Sequence, residues 1–191
     1  MKFKIFSPMW INLNKEQQLA AERLGMTETI WMDAFFTKYI YIESDILLTN
    51  VKINLKNVRI IIPNHVTFII GDNCVLEIDD VSLIEVQGDL IIQDSGTLIC
   101  RGELKNRNNI LVTSVNSNKI ATLVIYYALY NYNNVYVTGY GQIINYNFLV
   151  CYGGSIKITS LNPIGNRNSE SVSKSYSKLI NYGIINTRIY Q

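Results

Sequence analysis

The sequence predicts an all-β fold, a parallel β-solenoid, and three observations carry that prediction. First, from about residue 43 to residue 111 the chain repeats itself with a period of about 23 residues, inside the range of repeat architectures. Ile46, Ile69 and Ile92 are equally spaced, as are Ile53, Leu76 and Ile99, and Val58, Val81 and Leu104. Second, the punctuation recurs with the apolar residues. Thr49-Asn50 becomes Asp72-Asn73 and then Ser95-Gly96, Asn57 becomes Asp80 and then Glu103, and Pro63-Asn64-His65 becomes Val86-Gln87-Gly88. Third, each period holds three short apolar runs, rich in β-branched side chains and without helical spacing.

A repeat of this length with three short strands reads as one coil of a solenoid. A single coil cannot bury its inward side chains or satisfy its backbone, so coils must stack. Equivalent Ile and Val residues then form ladders at about the 4.8 Å strand spacing. Asn, Asp, Ser and Gly fit the breaks because they tolerate turn conformations that β-branched residues do not. A β-sandwich also shows short strands at regular spacing, but it would need the periodicity to be accidental. The expected solenoid has five to seven coils, with right-handed winding as the expected sense.

Three regions follow in chain order. Residues 1–40 form an N-terminal helical hairpin cap. Within it Asn14 caps a helix with Gln17 as its N3 partner, Gly25 stops that helix after Leu24, and Thr27 caps a second one. Trp10, Leu13, Leu24 and Trp31 mark the hairpin, Leu13, Ala20, Ala21, Leu24, Ile30 and Trp31 are its packing residues, and covering the open first coil is its expected structural task. Residues 41–160 form the β-solenoid. The repeat register fades after residue 111, yet Ile110 to Val115, Ala121 to Tyr127, Val135 to Thr138, Gln142 to Val150 and Ser155 to Ser160 still read as strands. Residues 161–191 are an Asn/Ser/Gly-rich loop followed by a closing strand or an arm exchanged between subunits.

The hairpin carries a resemblance. Trp10, Leu13, Gln17, Ala20, Ala21, Leu24, Gly25, Thr27 and Trp31, at their spacing in this chain, resemble a short helical motif found near the ends of assorted proteins of algae, diatoms, oomycetes and large DNA viruses. The likeness runs only from Trp10 to Trp31. It departs where those proteins usually carry an aromatic residue, here Met26, and an Asp directly after the second Trp, here Met32. The resemblance implies a kind of source and a docking element, and it brings no catalytic residue.

Composition narrows the function. Only 17% of the chain is charged, against about 25% in ordinary globular domains. Asn, Ser, Thr and Tyr must therefore cover much of the surface, which suits contact with protein or glycans. The net charge of +2 is scattered, and no run of Lys or Arg tracks a phosphate backbone, so nucleic-acid binding has no support. No apolar stretch reaches membrane-span length, and the first residues do not make a secretory signal. Cys74, Cys100 and Cys151 lack paired spacing and read as buried free thiols, which favours a reducing, intracellular setting.

Catalysis finds little footing. The single histidine, His65, occupies a turn, so no Ser-His-acid set can be assembled. One His and three separated Cys do not give zinc spacing; no metal site and no cofactor is expected. Asp72, Asp79 and Asp80 have the ligand type for calcium, but turns favour Asp in any case. Parallel β-helices also include polysaccharide lyases and hydrolases, and the architecture resembles pectate-lyase-like folds. On that reading Asp80 and Glu103 would stack one coil apart, near the ~5 to 5.5 Å separation of a retaining glycosidase.

The stronger expectation is an assembly surface built from Tyr126, Tyr127, Tyr130, Tyr132, Tyr136, Tyr140 and Tyr146, interleaved with asparagines. Tyrosine supplies broad, rigid contact area with a polar tip. The expected function is thus a non-catalytic, self-associating structural protein, a virion, inclusion or surface component of a large DNA virus or protist. Its expected partners are itself, as a homo-oligomer such as a trimer or a lattice, other structural proteins, or glycans. The alternative is a carbohydrate-binding or polysaccharide-cleaving β-helix.

Overall fold

In the computed structural model, which describes residues 15, 38–159 and 177–188, the chain is a parallel β-solenoid of about six turns. The first coil holds β1 (Lys38–Tyr41), β2 (Ile46–Leu48) and β3 (Lys52–Leu55), and the second β4 (Val58–Ile62), β5 (Thr67–Ile70) and β6 (Val75–Ile78). The third holds β7 (Leu83–Val86), β8 (Asp89–Gln93) and β9 (Thr97–Cys100), and the fourth β10 (Glu103–Asn106), β11 (Asn109–Ser114) and β12 (Ala121–Ile125). The fifth holds β13 (Ala128–Asn131), β14 (Asn134–Gly139) and β15 (Gly141–Asn145), after which come β16 (Phe148–Tyr152), β17 (Ser155–Thr159), β18 (Lys178–Asn181) and β19 (Ile184–Arg188).

Every third strand joins the same sheet. Sheet I runs β1-β4-β7-β10-β13-β16-β19, sheet II β2-β5-β8-β11-β14-β17 and sheet III β3-β6-β9-β12-β15-β18. Alternate residues point inward, as the two-residue period of a strand requires: β4 and β11 alternate between buried and half-buried along their length. One continuous core results, from Ile40 to Cys151, and Phe68 is the one aromatic residue buried in it among the described residues.

The regular spacing of the repeat proves to be an average. Arg59 pairs with Leu83, Leu83 with Glu103 and Glu103 with Ala128, so the third coil is shorter than the second and the fourth is longer than both. Of the expected ladder steps, Ile53 on Leu76 holds. The others slip: Ile46 sits under Phe68 rather than Ile69, Leu76 under Leu98 rather than Ile99, and Leu104 pairs with Ile84 while Val81 is exposed. The cause is that turn length varies from coil to coil, and a slip of a residue or two reassigns the pair without breaking the apolar pattern.

Turn chemistry explains the breaks. Asn50, Asn57, Asn73 and Asp94 all have positive φ, the conformation Asn and Asp accept more readily than most side chains. At the corner between sheets II and III the expected stack exists: Asn73 Nδ2 donates to Asn50 Oδ1 at 3.2 Å, and Ser95 Oγ donates to the carboxylate of Asp72. Acidic turn residues receive backbone donors, as Asp45 does from Thr67 N at 2.7 Å and Asp79 from Asn57 N at 3.1 Å.

The three cysteines are free and buried. Burial pushes the Cys74 and Cys100 thiols up to about 12. The helical hairpin with Trp10, Leu13, Leu24 and Trp31 lies outside the described residues, although Lys15 itself is helical. The C-terminal stretch continues the solenoid of its own chain: β18 pairs with β15 and β19 with β16.

Candidate functional site: an uncharged aromatic belt on sheet I

From Ile120 to Ile156 the chain contains no Asp, Glu, Lys, Arg or His. That run builds β12 to β16, so a band about two coils tall wraps the solenoid without one ionisable acid or base other than tyrosine and cysteine. Such a band forgoes the charged side chains that ordinarily keep a protein surface solvated.

Sheet I and its two corners concentrate the aromatic residues of this band. At the corner entering sheet I, Tyr126, Tyr146 and Tyr182 stack in a column, with centroids 4.9 and 5.3 Å apart and ring planes 8° and 14° from parallel. At the corner leaving it, Tyr132 stacks on Tyr152 at 5.0 Å, and Tyr130 lies 6.3 Å from the same ring. Between the corners Ala128, Phe148 and Ile184 succeed one another in register. Tyr126, Tyr127, Tyr132, Tyr146, Phe148, Tyr182 and Ile184 are all exposed, Tyr182 most at 68%. The two columns stand a strand's length apart, from Tyr126 to Tyr132, which is about 20 Å at ~3.3 Å per residue.

Both columns begin on an arginine. The Arg101 guanidinium lies 4.6 Å from the Tyr126 ring centre, and Arg107 lies 5.2 Å from that of Tyr132. A planar guanidinium stacks as an aromatic ring does and gains from the negative ring face. Each arginine pairs with a carboxylate from the coil below, Arg101 with Glu77 at 2.6 Å and Arg107 with Glu85 at 3.0 Å. Glu85 is also held by Arg59 at 2.7 Å, so it sits nearly buried between two guanidiniums. The Arg59 hydrogen bond, with those from Gln87 and Arg107, outweighs burial and holds the Glu85 carboxyl below the usual carboxylate range. The Arg101 charge is thus paired within the fold, while Arg59 and Arg107 share the single charge of Glu85.

The inner wall behind the belt changes character in the same coils. Asn106, Asn131 and Asn145 are fully buried, at inward places that Val86 and Ile125 occupy one coil below Asn106 and Asn145. Asn106 Nδ2 donates to Asn131 Oδ1 at 2.7 Å, and Asn145 Nδ2 donates to Asn181 Oδ1 at 2.7 Å. Each amide also reaches a main-chain carbonyl: Asn134 O at the start of β14 for Asn106, and the corner carbonyls Asn133 O for Asn131 and Asn147 O for Asn145. These bonds pin the corners that carry the tyrosine columns.

The expected site residues divide accordingly. Tyr126, Tyr127, Tyr130, Tyr132 and Tyr146 come together on sheet I and its corners. Tyr136 faces outward from sheet II, where the Lys157 ammonium lies 5.5 Å from its ring centre, and Tyr140 sits at the corner between sheets II and III. Tyr152, the last tyrosine of the cluster read in the sequence, joins the face, as do Phe148, Tyr182 and Ile184, which the tyrosine cluster does not predict; the absence of charge from Ile120 to Ile156 is the signal that extends it to Phe148. Asp80 and Glu103 do not stack. Glu103 is in register with Leu83 and bridges to Lys105 at 2.9 Å, because the coil from β7 to β10 is shorter than the repeat suggests.

Asp72 is held below the usual carboxylate range by Lys119 and then Ser95, and Glu85 is shifted the same way; a general acid needs the opposite direction. Among the described residues no group of three His, Cys, Asp or Glu is placed to hold a metal ion, and no helix is long and apolar enough to cross a membrane. Fold and site define a parallel β-solenoid with an uncharged, tyrosine-laddered belt. No protein-family model, curated protein or solved structure matches the chain.

Proposed function

We propose that the protein is a non-catalytic structural component that associates with itself through the aromatic belt of sheet I. The observation that carries this reading is the exposed Tyr126–Tyr146–Tyr182 column, continuous with Phe148 and Ile184, beside the chargeless stretch from Ile120 to Ile156. Large exposed apolar patches mark interaction sites. Aromatic residues concentrate in interface cores from which charge is excluded. The rings cover one another's faces, so the belt presents ring edges and hydroxyls in rows near the strand spacing. That surface suits a flat partner of the same periodicity, and a second belt is one. We place the protein in an assembled body, a virion, inclusion or surface layer of a large DNA virus or protist, on the strength of the hairpin motif.

Light scattering of the full chain across a concentration series tests this. Mass should rise with concentration, and Tyr126→Lys with Tyr146→Lys should abolish the rise while the variant stays folded. A monomer at every concentration would sink the proposal.

A further inference from the structure

Coiling sorts the ionisable residues along the solenoid axis. From residue 45, just before β2, to residue 103, the first of β10, nine Asp and Glu stand against four Lys and Arg. From residue 104 to residue 191 the balance inverts, with eight Lys and Arg against one acidic residue. Among the described residues no Asp or Glu follows Glu103.

Ion pairs within the fold cancel the charges of the middle coils. Lys105 holds Glu103 at 2.9 Å, Arg107 holds Glu85 at 3.0 Å, and Lys119 holds Asp72. Two groups are left over on either side. Glu43, Asp45, Asp79, Asp80 and Asp89, all within the first three coils, form no ion pair among the described residues. Lys52 and Lys56 on the first coil offset them only in part. Lys157 on β17 and Lys178 on β18 are exposed and meet no carboxylate among the described residues. The uncharged belt lies between the two groups.

We propose that copies joined through the belt lie antiparallel, each setting its cationic coil towards the acidic coils of its neighbour. The inference rests on the belt reading and adds the direction in which two belts meet. With parallel solenoid axes each coil would lie level with its own counterpart. The unpaired carboxylates of one copy would then stand beside those of the other, and Lys157 and Lys178 beside their like, and such charges repel. A two-fold axis running along the strands of sheet I, through the belt, reverses the coil order. The belts stay face to face with strand directions matched, so the tyrosine column at each corner meets its own equivalent. The acidic coils of the two copies move to opposite ends of the pair, and the lysines of each approach the acidic coils of the other.

The sign of the salt response separates the two arrangements. Charges one to three coils apart are about 5 to 15 Å apart along the axis, a range that low salt leaves largely unscreened. Screening removes attraction from the antiparallel pair and repulsion from the parallel one.

Sedimentation velocity of the full chain in sodium chloride tests the proposal. Association should weaken about fivefold between roughly 0.02 and 0.5 M. Charge reversal is the stricter test. Lys157→Glu with Lys178→Glu should weaken association about fivefold at low salt, and so should Glu43→Lys with Asp80→Lys. An equimolar mixture of the two variants should recover it, because one contact then joins two reversed groups while the other stays native. All four side chains are exposed, so the variants should fold, and a thermal melt checks this. Association that tightens with salt, or a mixture that binds no better than its parents, would overturn the antiparallel arrangement and leave the belt reading standing. A monomer under every condition would remove both.

Discussion

The ring of Tyr146 lies over that of Tyr126 with centroids 4.9 Å apart and planes 8° from parallel, one coil above it on the outside of the solenoid. The separation is close to the spacing of hydrogen-bonded strands, so backbone pairing alone brings the rings into contact. Tyr126 N donates to Cys100 O and Tyr146 N to Ile125 O, both at 2.8 Å, extending the ladder of sheet III by one residue at each coil. A tyrosine at this corner in successive coils thus stacks without any further device.

Tyr146 is the middle ring and touches both neighbours, so Tyr146→Ala removes two stacked pairs. At about 0.5 to 1.5 kcal/mol for each aromatic pair, the loss should be about 1 to 3 kcal/mol. Tyr146→Phe should keep nearly all of it. Urea unfolding of the three proteins measures the difference; equal losses for both variants would show that the hydroxyl, not the stack, matters.

Asn131 accepts from Asn106 and donates to Asn133 O at 2.9 Å while fully buried. Asn131→Ala should cost about 2 to 4 kcal/mol, combining unsatisfied polar groups with a small cavity. Asn131→Leu should not recover it, because the turn carbonyl stays unpaired. Thermal unfolding would read this as a fall of several degrees; full rescue by leucine would refute the hydrogen-bond account.

Gly102 packs against the coil below so closely that an added Cβ would lie 2.0 Å from Ser82 O. The obstacle is backbone and cannot swing away. Gly102→Ala should destabilise the protein by about 1 to 3 kcal/mol, the cost of overpacking. Chemical denaturation would show it as a lower midpoint; an unchanged midpoint would mean that the coils can separate locally at no cost.

Glu85 has a folded pKa below its ordinary value of 4.5, chiefly because Arg59 binds its ionised form. Its contribution to stability is present above about pH 4.5 and is lost as pH falls through the lowered folded value. Wild type should therefore lose stability over this acid range more steeply than Glu85→Gln. Melting temperatures from neutral pH down into strong acid would test it, and parallel curves would place the acid sensitivity elsewhere.

Much of the architecture is legible in the sequence because solenoid coils are built from local chemistry. Asn50 and Asn73 read as equivalent turn residues and do hydrogen-bond across coils. Strand pairing is less legible. Ile69 and Phe68, or Ile99 and Leu98, are both apolar neighbours, and the pattern does not say which one turns inward. The structure buries Phe68 and Leu98 and turns Ile69 and Ile99 outward. The expected stacking of Asp80 with Glu103 fails for the same reason, since a short coil moves Leu83 into the pair.

Residue type and spacing were enough to establish that this chain stacks short parallel strands in coils, that its cysteines are free, and that tyrosines and a dearth of charge mark its later coils. Packing in three dimensions settled what they could not. It made the period change from coil to coil, brought Tyr182 onto Tyr146 although the two lie far apart in the chain, and set Arg101 and Arg107 under the tyrosine columns. The reason is that stacking in a solenoid is set by the sum of turn lengths around a coil. Each turn is fixed by hydrogen bonds to the coil beneath it, and no residue carries that sum in its own chemistry.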